Sequence, residues 1–530
     1  MIRQNTERRR AAGLNVLLLR PPRYLWPFNS ETSAFWQPLG LLCLAAYARR
    51  QVPGASIEVW DCPGVKTGWR TLASRLADRP IDVLGIGEET VSAHEAVRAA
   101  EMVKRLWPEC LVVAGGVYFV HTIEQTLSRA CVDVVVRGEG EVTFAELLRH
   151  WNEPSRWGGI PGLAFRDGTG QAVLTPPRPL IGDLDSLPFP AYDLIDEGAY
   201  GRGSRNHPAL VSIEHSRGCI DNCSFCVLWK HMGRSADGNG EVRPLWRTKG
   251  PERSFEEVRR LYRQYGRRTF GWVDPTFNVS PAWSDGWAER MLRSELVGPR
   301  GRPRTLHTAW LRADGVVRDE RLGVLSKLVR AGLRQVMIGV ERDDREGLAY
   351  LNKHNNDLDV CREAFAILRE RHPQVYTIGT MIFGLPGDTL ADLRRLTDRQ
   401  YELGMDYCFL MPLTPNPGTA VAAAAERDGY VAERDLARYN FHSPVMRTDR
   451  LDLRQLESIY WRVMLNPSGV RLARAARQAL FQRDRRKRRV FWALLGRGTT
   501  IATRSLLNGL FRRRNGQPAL HSRRPPWYDD

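Results

Sequence analysis

The sequence predicts an α/β protein in which an N-terminal doubly wound parallel sheet is followed by a partial (β/α)6 barrel and a C-terminal helical segment. Three observations predict this class. Short apolar runs alternate with helical patterns through the first 150 residues, a Pro-rich stretch follows, and a second series of apolar runs ends repeatedly at polar residues. At 530 residues the chain is long enough for about two or three domains. We expect their boundaries at 1–155, 156–204 (a hairpin and linker), 205–425 and 426–530.

The first domain is predicted to contain five strands with helices between them, the pattern of a sheet covered on both faces. The predicted strands are 13–20, 56–60, 81–85, 111–114 and 132–136. The predicted helices are 39–50, 70–77, 88–106, 124–130 and 141–151. A hairpin with its turn at Asp167-Gly168 follows at 158–174, and the Pro-rich run 176–196 is predicted to be a linker.

Ligands of such sheets bind beyond the carboxyl ends of the strands, and the loops there carry small and hydroxylated residues. The candidate ligand-contacting residues are Thr90, Ser92, Gly115, Gly116, Gly138, Glu139 and Gly140. Glycines let a ligand approach the backbone, and hydroxyls can hold a polar group of the ligand. Taken alone this evidence is weak, because a glycine after a strand usually marks a turn.

The second domain is predicted to contain six strands, mostly separated by helices, as in a partial barrel. The predicted strands are 209–213, 268–273, 306–311, 335–340, 375–382 and 407–411. The predicted helices are 255–265, 319–331, 359–369 and 390–403. Asp274, Arg312 and Glu341 stand just past strand ends, where barrel side chains face the active site. A lone acid at such a position more often caps a helix, but the recurrence of polar residues at matching positions weakens that alternative.

Three cysteines stand close together directly after the first barrel strand. Cys219, Cys223 and Cys226 are spaced C-x3-C-x2-C on one short loop. An iron–sulfur cube takes four ligands, so three thiolates leave one iron open to a small molecule. A Cys3His zinc site with His215 or His231 as its fourth ligand is an alternative. Three unrelated reduced thiols are another, since free Cys often behaves as a small buried hydrophobe.

This loop, with Phe225 just before the third cysteine, resembles the signature of the radical S-adenosylmethionine (radical SAM) enzymes. Four later segments resemble further motifs of that family in the expected order: WVDPTFN, IGVER, TIGTMIFGLPGDT and PLTPNPGTA. The resemblance implies that the three cysteines hold a [4Fe–4S] cluster whose open iron chelates SAM. It also implies SAM contacts from Phe225, Asp274, Arg312 and Glu341, and reductive cleavage of SAM to a 5′-deoxyadenosyl radical.

Three runs of the first domain, DVLGIGEETVSAHEAVRAAEMVKRLWP, VVAGGVYF and DVVVRGEGEVTF, resemble the cobalamin-binding domain fused to many radical SAM enzymes, and so does WQPLGLLCLAAYARR ahead of them. The resemblance implies that the candidate residues between Thr90 and Gly140 line the nucleotide tail of cobalamin. Many cobalamin proteins carry D-x-H-x-x-G, whose His ligates cobalt. Here Asp61-Cys62-Pro63-Gly64 has no His, and Cys62 is either a replacement ligand or, more commonly for such a residue, a loop cysteine.

The resemblance as a whole implies a cobalamin-dependent radical SAM enzyme with a [4Fe–4S] cluster, SAM and cobalamin as cofactors. The favoured activity is methyl transfer to an unactivated carbon of a small molecule or natural product. The alternative is an oxidative cyclase or another cobalamin-dependent rearrangement without methyl transfer, because Leu228-Trp229-Lys230 and WQPLG also resemble the anaerobic magnesium-protoporphyrin monomethyl ester cyclase. A remote alternative is a zinc-stabilised module that binds nucleic acid through the basic tail. Expected partners are a small-molecule substrate and a low-potential electron donor such as flavodoxin or ferredoxin.

The charge is concentrated near the end of the chain. The net charge is +18, and residues 471–514 carry fourteen Lys or Arg against one acid. After a predicted helix at 452–464, this basic segment is expected to cap the barrel, with weak contact to a membrane surface as the alternative. No nucleic-acid-binding motif accompanies the charge, so no nucleic acid is expected. The end, HSRRPPWYDD, is predicted to be disordered. Nine cysteines without regular pairing, and no apolar run of membrane-spanning length, indicate a cytoplasmic protein.

Overall fold

The structure is a computed structural model, and it describes residues 13–24, 36–200, 209–235, 242–354, 356–465, 469–492, 495 and 526–530. Two large sheets, of seven and six strands, organise these residues. Helices lie against both sheets, and the predicted α/β class is confirmed.

The N-terminal sheet has the strand order β2-β1-β3-β4-β5-β6-β7. Its strands are β1 (Leu14–Arg20), β2 (Ala55–Asp61), β3 (Val83–Gly87), β4 (Leu111–Gly115), β5 (Val134–Val136), β6 (Leu163–Arg166) and β7 (Ala172–Leu174). Its helices are α1 (Leu39–Gln51), α2 (Cys62–Val65), α3 (Trp69–Ala77), α4 (Ala93–Leu106), α5 (Gly116–Val120), α6 (Ile123–Leu127) and α7 (Gly140–Arg149). Strands β1 to β5 are parallel, and the winding direction reverses between β1 and β3. A doubly wound sheet of this order forms its ligand crevice at the carboxyl ends of those two strands.

Strand β1 explains why this sheet is buried on both faces. Val16 and Leu18 belong to one apolar core, and Leu17 and Leu19 belong to a second core on the opposite face. Side chains alternate across a strand, so a continuous apolar run is the pattern of a central parallel strand with helices on either side.

Two helix predictions in this domain are wrong in detail. The predicted helix 88–106 is a 3-10 turn (Thr90–Ser92) followed by α4, because Ser92 leaves the helical conformation with φ −120°. The predicted helix 124–130 ends at Leu127, and the extra helix α5 precedes it directly after β4. The predicted hairpin at 158–174 forms β6 and β7, which extend the sheet in the antiparallel sense.

The second sheet has the order β19-β18-β17-β16-β13-β8 with all neighbours parallel, so the six predicted barrel strands are confirmed. They are β8 (Leu210–Ile213), β13 (Thr269–Trp272), β16 (Leu306–Leu311), β17 (Leu333–Glu341), β18 (Tyr376–Phe383) and β19 (Tyr407–Pro412). Short strands between them are β9 (Ser216–Gly218), β10 (Arg234–Ser235), β11 (Val242–Arg243), β12 (Trp246–Thr248), β14 (Val297–Gly298) and β15 (Arg302–Pro303).

The helices of this unit are α8 (Leu228–His231), α9 (Pro251–Tyr265), α10 (Pro281–Leu292), α11 (Ala313–Arg321), α12 (Val324–Ala331), α13 (Arg345–Tyr350), α14 (Leu358–Arg371), α15 (Leu390–Leu403) and α16 (Ala420–Arg427). The single helix predicted at 319–331 is wrong. The chain breaks at Gly323, whose φ of +72° ends α11 and starts α12.

The WQPLG segment joins the two units. The Trp36 ring lies over Gly271 of β13, where an added Cβ would come within 2.2 Å of that ring. Gln37 pairs with β8, the edge strand of the barrel sheet, like a short strand: its Nε2 donates to Leu210 O at 2.9 Å, and Ser212 N donates to its Oε1 at 2.8 Å. The N-terminal unit thereby covers a sheet edge that would otherwise present unpaired backbone groups.

The C-terminal region continues with α17 (Leu453–Leu465) and α18 (Gly469–Phe481). Within the basic segment, Lys487 is buried: its Nζ donates to Val375 O at 2.9 Å and lies 2.7 Å from an Asp406 carboxylate oxygen. Phe491 packs edge-on against Tyr376 at 5.8 Å. These contacts place residues 484–492 against the barrel, as the cap prediction expects. Residues 493–494 and 496–514 of the segment lie outside the described part of the chain.

The prediction of disorder at the chain end is wrong for residues 526–530. The Tyr528 ring is 3 % exposed in the N-terminal core, 5.0 Å from the Tyr24 ring, and its hydroxyl bonds to Glu95. Thr71 N donates to Asp530 O at 2.6 Å. The physical reason is that the Trp527 and Tyr528 side chains pack against the apolar core of the N-terminal unit. A prediction from composition alone does not include such packing. No helix in the described ranges has the length and apolarity needed to cross a membrane.

Candidate functional site

The cysteine loop starts where β9 ends and rests on the barrel. Gly218 turns the chain with φ +84°, and a Cβ there would lie 1.9 Å from Leu245 O, so this position requires glycine. Trp229 Nε1 donates to Cys223 O at 3.0 Å, and Ser224 N donates to Leu351 O at 3.0 Å. The loop is therefore held from both sides by hydrogen bonds to the rest of the protein.

The three thiols differ in their surroundings. Cys223 is buried, and Cys219 and Cys226 are half-buried. Burial raises the pKa of Cys223 to about 12, with the Lys353 ammonium acting in the opposite direction, and burial also raises the pKa of Cys226. Cys219 Sγ lies 3.8 Å from Thr276 Oγ1. Because thiolates are the metal-binding form, a cluster on this loop replaces protons.

His215 and His231, the two alternatives for a fourth zinc ligand, contact side chains other than the three cysteines. His215 is completely buried, its Nδ1 is 2.8 Å from Asp274 Oδ1, and its ring lies 3.9 Å from that of Trp283. The His231 ring lies 6.2 Å from that of His121. Across the described ranges, no three His, Cys, Asp or Glu side chains are close enough to hold one metal ion. A cube poses a different geometric requirement, because its cysteines bind separate irons.

Asp274 lies beneath the loop. Its Oδ1 accepts hydrogen bonds from His215 N at 3.0 Å and from Ser216 Oγ at 2.7 Å, so it holds the start of β9. Burial acts to raise the pKa of Asp274, but the charge of His215 and the hydrogen bonds from His215 and Ser216 lower it overall. Its Oδ2 is buried and has no hydrogen-bond partner among the described residues.

Arg312 and Glu341 meet the loop from the neighbouring strand ends. Arg312 bonds to Asp221 within the loop, and also to Asp314 at 2.9 Å. Glu341 adopts φ +63°, a strained conformation for a residue with a side chain, and its Oε1 lies 3.7 Å from Lys353 Nζ. Burial raises the pKa of Glu341 although Lys353 and Thr380 oppose the shift.

Phe225 packs into a small apolar cluster at the ends of β18 and β19. Its neighbours there include Leu351, Ile382, Leu385 and Leu413. The structure thus joins Arg312 to the cysteine loop through Asp221, and it brings Glu341 to Lys353 near Cys223. Asp274 instead bonds to residues just ahead of the loop.

Among the candidate residues in the loops of the N-terminal sheet, some already contact other protein groups and others lie beside open space. Ser92 Oγ donates to Glu88 at 2.8 Å and accepts from Arg23 at 2.8 Å. Thr90 is buried beside it. A Cβ on Gly116, which has φ +78°, would lie 3.3 Å from Glu88 N, so that turn is tight.

The loop after β5 presents both a free surface and a charged contact. An added Cβ at Gly138 would meet nothing within 4 Å, although its φ of +72° still favours glycine, whereas one on Gly140 would contact Leu44 at 2.8 Å. Gly115 is half-buried at the end of β4, and a Cβ there would lie 3.8 Å from Val136 O. The Glu139 carboxylate turns to the barrel and pairs with Arg217 and Arg247, each at 2.9 Å.

In the segment that stands in place of D-x-H-x-x-G, Asp61 and Cys62 are both buried and contact other residues of the protein. Asp61 pairs with Arg20 at 3.4 Å and bonds to the Tyr200 hydroxyl. Cys62 is buried in apolar surroundings, and burial raises the pKa of its thiol. This environment favours a packed loop cysteine over a metal-binding thiolate.

Sequence reasoning missed Arg217, Arg247 and Lys353. Arg217 stands two residues before Cys219, and this proximity was the available signal. Arg247 and Lys353 reach the site only through the pairing of β12 with β9 and the turn after α13, which no local pattern reveals.

These contacts define a class of α/β protein in which the loop after β5 of a doubly wound sheet is ion-paired to the strand that leads into the cysteine loop of a partial barrel. The profile of the Radical SAM superfamily matches residues 213–399, and that of the B12 binding domain matches residues 27–148. The chain belongs to the cobalamin-dependent radical SAM enzymes.

Relatives carry two kinds of name. The chain is 26 % identical over 447 residues to an uncharacterised methyltransferase of Pyrococcus horikoshii, covering 84 % of this chain and 90 % of that one. It is 24 % identical over 486 residues to the anaerobic magnesium-protoporphyrin IX monomethyl ester cyclase of Rubrivivax gelatinosus, covering 91 % and 82 %. Its fold is similar to that of the radical S-adenosylmethionine methyltransferase TsrM from Kitasatospora setae, solved with cobalamin and a [4Fe–4S] cluster (TM-score 0.61, 19 % identity, 86 % and 82 % covered).

Proposed function

We propose that this enzyme transfers a methyl group to an unactivated carbon of a small molecule. The observation that carries the proposal is the junction itself: the loop after β5 of the cobalamin-binding domain is ion-paired to the strand that leads into the cysteine loop. When bound, the cluster and SAM supply hydrogen abstraction from the substrate, and cobalamin supplies the methyl group. The chain's own task is to hold these groups close together and away from water.

In this proposal Cys219, Cys223 and Cys226 bind three irons of a [4Fe–4S] cluster. The residues fit, because three thiols share one short loop that is fixed by hydrogen bonds to the Trp229 indole and to the Leu351 carbonyl. Lys353 lies near Cys223 and stabilises negative charge there. The open fourth iron is left for SAM.

The SAM site is proposed at the strand ends around this loop. In this proposal the buried Glu341 carboxylate faces the ammonium group of SAM. Lys353 offsets part of the negative charge of that carboxylate. Phe225 offers an apolar surface, and Arg312 holds Asp221 of the loop in position. Asp274 contributes by fixing Ser216 and His215, with its Oδ2 left without a protein partner in the described chain.

Cobalamin is proposed to bind along the loops after β3, β4 and β5. The open surface at Gly138 and the tight turn at Gly116 fit the close approach of a large ligand to the backbone. Ser92 and Thr90 form the buried wall of the crevice beside the Arg23–Glu88 ion pair. The chain supplies no imidazole at Asp61-Cys62-Pro63-Gly64.

An oxidative cyclase is the second candidate, and the similarity to the Rubrivivax cyclase favours it specifically. The two reactions differ in the fate of the methyl group of SAM. Anaerobic protein reconstituted with iron, sulfide and hydroxocobalamin is given a reductant, SAM with a deuterated methyl group, and a small-molecule extract of the source cells. A product that carries the deuterated methyl supports methyl transfer. 5′-Deoxyadenosine together with an unlabelled, dehydrogenated product contradicts it and supports cyclisation.

A matched pair of variants makes this assay specific. Cys219→Ala is expected to abolish both SAM cleavage and labelling. Cys131→Ala, which changes a buried cysteine of the N-terminal core, is expected to leave both unchanged.

We further propose a flavodoxin or ferredoxin as electron donor and a reducing cytoplasm as the compartment. All nine cysteines are free thiols in the structure, which supports a reducing environment.

A further inference from the structure

We infer that Glu139 is a positioning residue that sets the distance between the cobalamin-binding loop and the cysteine loop. It does so by joining Arg217 and Arg247 of the barrel unit. We call Glu139, Glu141, Arg217 and Arg247 the interdomain clasp. The inference rests on the proposed function, because a fixed spacing matters only where two cofactors act together.

The clasp is built on two paired strands. Arg217 of β9 and Arg247 of β12 lie directly opposite each other in an antiparallel pair. Arg217 donates to Glu139 at 2.9 Å and to Glu141 at 2.7 Å, while Arg247 donates to Glu139 at 2.9 Å. Neighbouring strands thus present two guanidinium groups to one carboxylate, and such charge-assisted hydrogen bonds are stronger than those between neutral groups.

The clasp is buried. The Arg217, Arg247 and Glu139 side chains are 7 %, 8 % and 3 % exposed. Burial acts to raise the pKa of Glu139, but the two arginines lower it overall, so the carboxylate is charged at neutral pH. The attraction between buried charges is screened by salt much less than that between exposed charges.

Both ends of the clasp lead directly to the proposed cofactor loops. Glu139 follows Gly138 and precedes the first residue of α7. On the other side Arg217 is followed by Gly218 and then by Cys219. A displacement of Glu139 therefore moves the β9 strand and the first cysteine with it.

Other contacts keep the two units together when the clasp is lost. Gln37 pairs with β8, and the His121 ring of the N-terminal unit lies against Gly418 of the barrel unit, 6.2 Å from the His231 ring. Glu214 lies 3.0 Å from Arg217 and continues to compensate its charge. Loss of the Glu139 charge is thus expected to loosen the spacing without separating the units. Units joined by a polar interface move relative to one another by default.

The test measures the spacing directly. Glu139→Gln keeps the shape of the side chain and removes its charge. Glu320→Gln is the matched control, because the Glu320 carboxylate also contacts two basic side chains, Arg371 at 2.9 Å and His372 at 2.8 Å, but entirely within the barrel. Each protein is loaded with the cluster and cobalamin, reduced to the paramagnetic forms of both, and studied by pulsed dipolar electron paramagnetic resonance.

We expect one narrow distance distribution between cluster and cobalt in the wild type and in Glu320→Gln. In Glu139→Gln we expect a distribution about twofold wider or more, with iron and cobalt contents unchanged. An unchanged width in Glu139→Gln with both cofactors bound overturns the inference. If Glu139→Gln does not fold, Arg247→Gln replaces it, since Arg217 then still compensates Glu139.

A second readout separates this inference from the proposed function. If the wild type binds iron but no cobalt, the proposed function fails, and the clasp is then tested in the protein without cofactors. Nitroxide labels on ketone-bearing residues at the exposed positions 124 and 363, one in each unit, report the same spacing. Broadening in Glu139→Gln supports the clasp even then, and no broadening overturns it.

Discussion

Replacement of Gln37 by Ala is expected to destabilise the junction between the two units strongly. Gln37 bonds to Leu210 O and Ser212 N, two backbone groups of the buried edge strand β8. A buried backbone group left unpaired costs about 1–3 kcal/mol, so the loss of both partners in Gln37→Ala should lower the free energy of unfolding by about 2–6 kcal/mol.

The assay is urea unfolding followed by circular dichroism and tryptophan fluorescence. At about 2–3 kcal/mol per molar urea, the first transition should shift down by about 1–3 M. Gln51→Ala is the matched control, because Gln51 accepts a hydrogen bond from Arg149 at the exposed side of α1. Its effect is expected within about 0.5 kcal/mol.

Gln37→Glu adds a pH signature. The carboxylate can still accept from Ser212 N but faces Leu210 O, which is another acceptor. The folded state then raises the pKa of the new acid above its usual value of about 4.3, so stability is expected to fall as pH rises through that value and above it. A Gln37→Ala midpoint within about 0.2 M of wild type, with Gln37→Glu independent of pH, would refute the edge-pairing argument.

Three further predictions concern the cluster, a buried acid and the chain end. Cys219→Ala should lose bound iron while Cys131→Ala keeps it, measured by iron analysis after anaerobic reconstitution; equal iron in both variants contradicts the ligand assignment. Burial raises the pKa of Glu197 to about 7 from a usual 4.5, so the thermal stability of the wild type should fall as pH rises across that range. Glu197→Gln should remove this fall. Parallel plots of stability against pH for the two proteins contradict the prediction. Tyr528→Ala should cost about 2–4 kcal/mol and Tyr528→Phe about 1 kcal/mol in unfolding experiments, since the ring is buried and its hydroxyl bonds to Glu95. Identical unfolding of Tyr528→Ala and wild type contradicts the docking of the chain end.

Patterns that repeat along the chain could be predicted from the sequence. The apolar run of β1 and the alternation of strands and helices led to both sheets, since periodic burial is a local property. The cysteine spacing was equally local. The helix break at Gly323 was missed because glycine is tolerated within a helical pattern, and only packing decides whether it ends the helix.

Contacts between distant segments could not be predicted. Glu139 was predicted to contact a ligand, but its carboxylate pairs with Arg217 and Arg247, which come from strands far along the chain. Asp274 was singled out by its position after a strand, but its hydrogen bonds to His215 and Ser216 depend on tertiary folding. The roles of these residues toward SAM and cobalamin, like the domain limits, stay predictions.

The measurement that tests the central claim most directly is metal analysis after anaerobic purification, cluster reconstitution and addition of hydroxocobalamin. The account predicts about four irons and one cobalt per chain, with iron lost in Cys219→Ala. Iron without cobalt contradicts the methyl-transfer proposal. One zinc with neither iron nor cobalt contradicts the account as a whole.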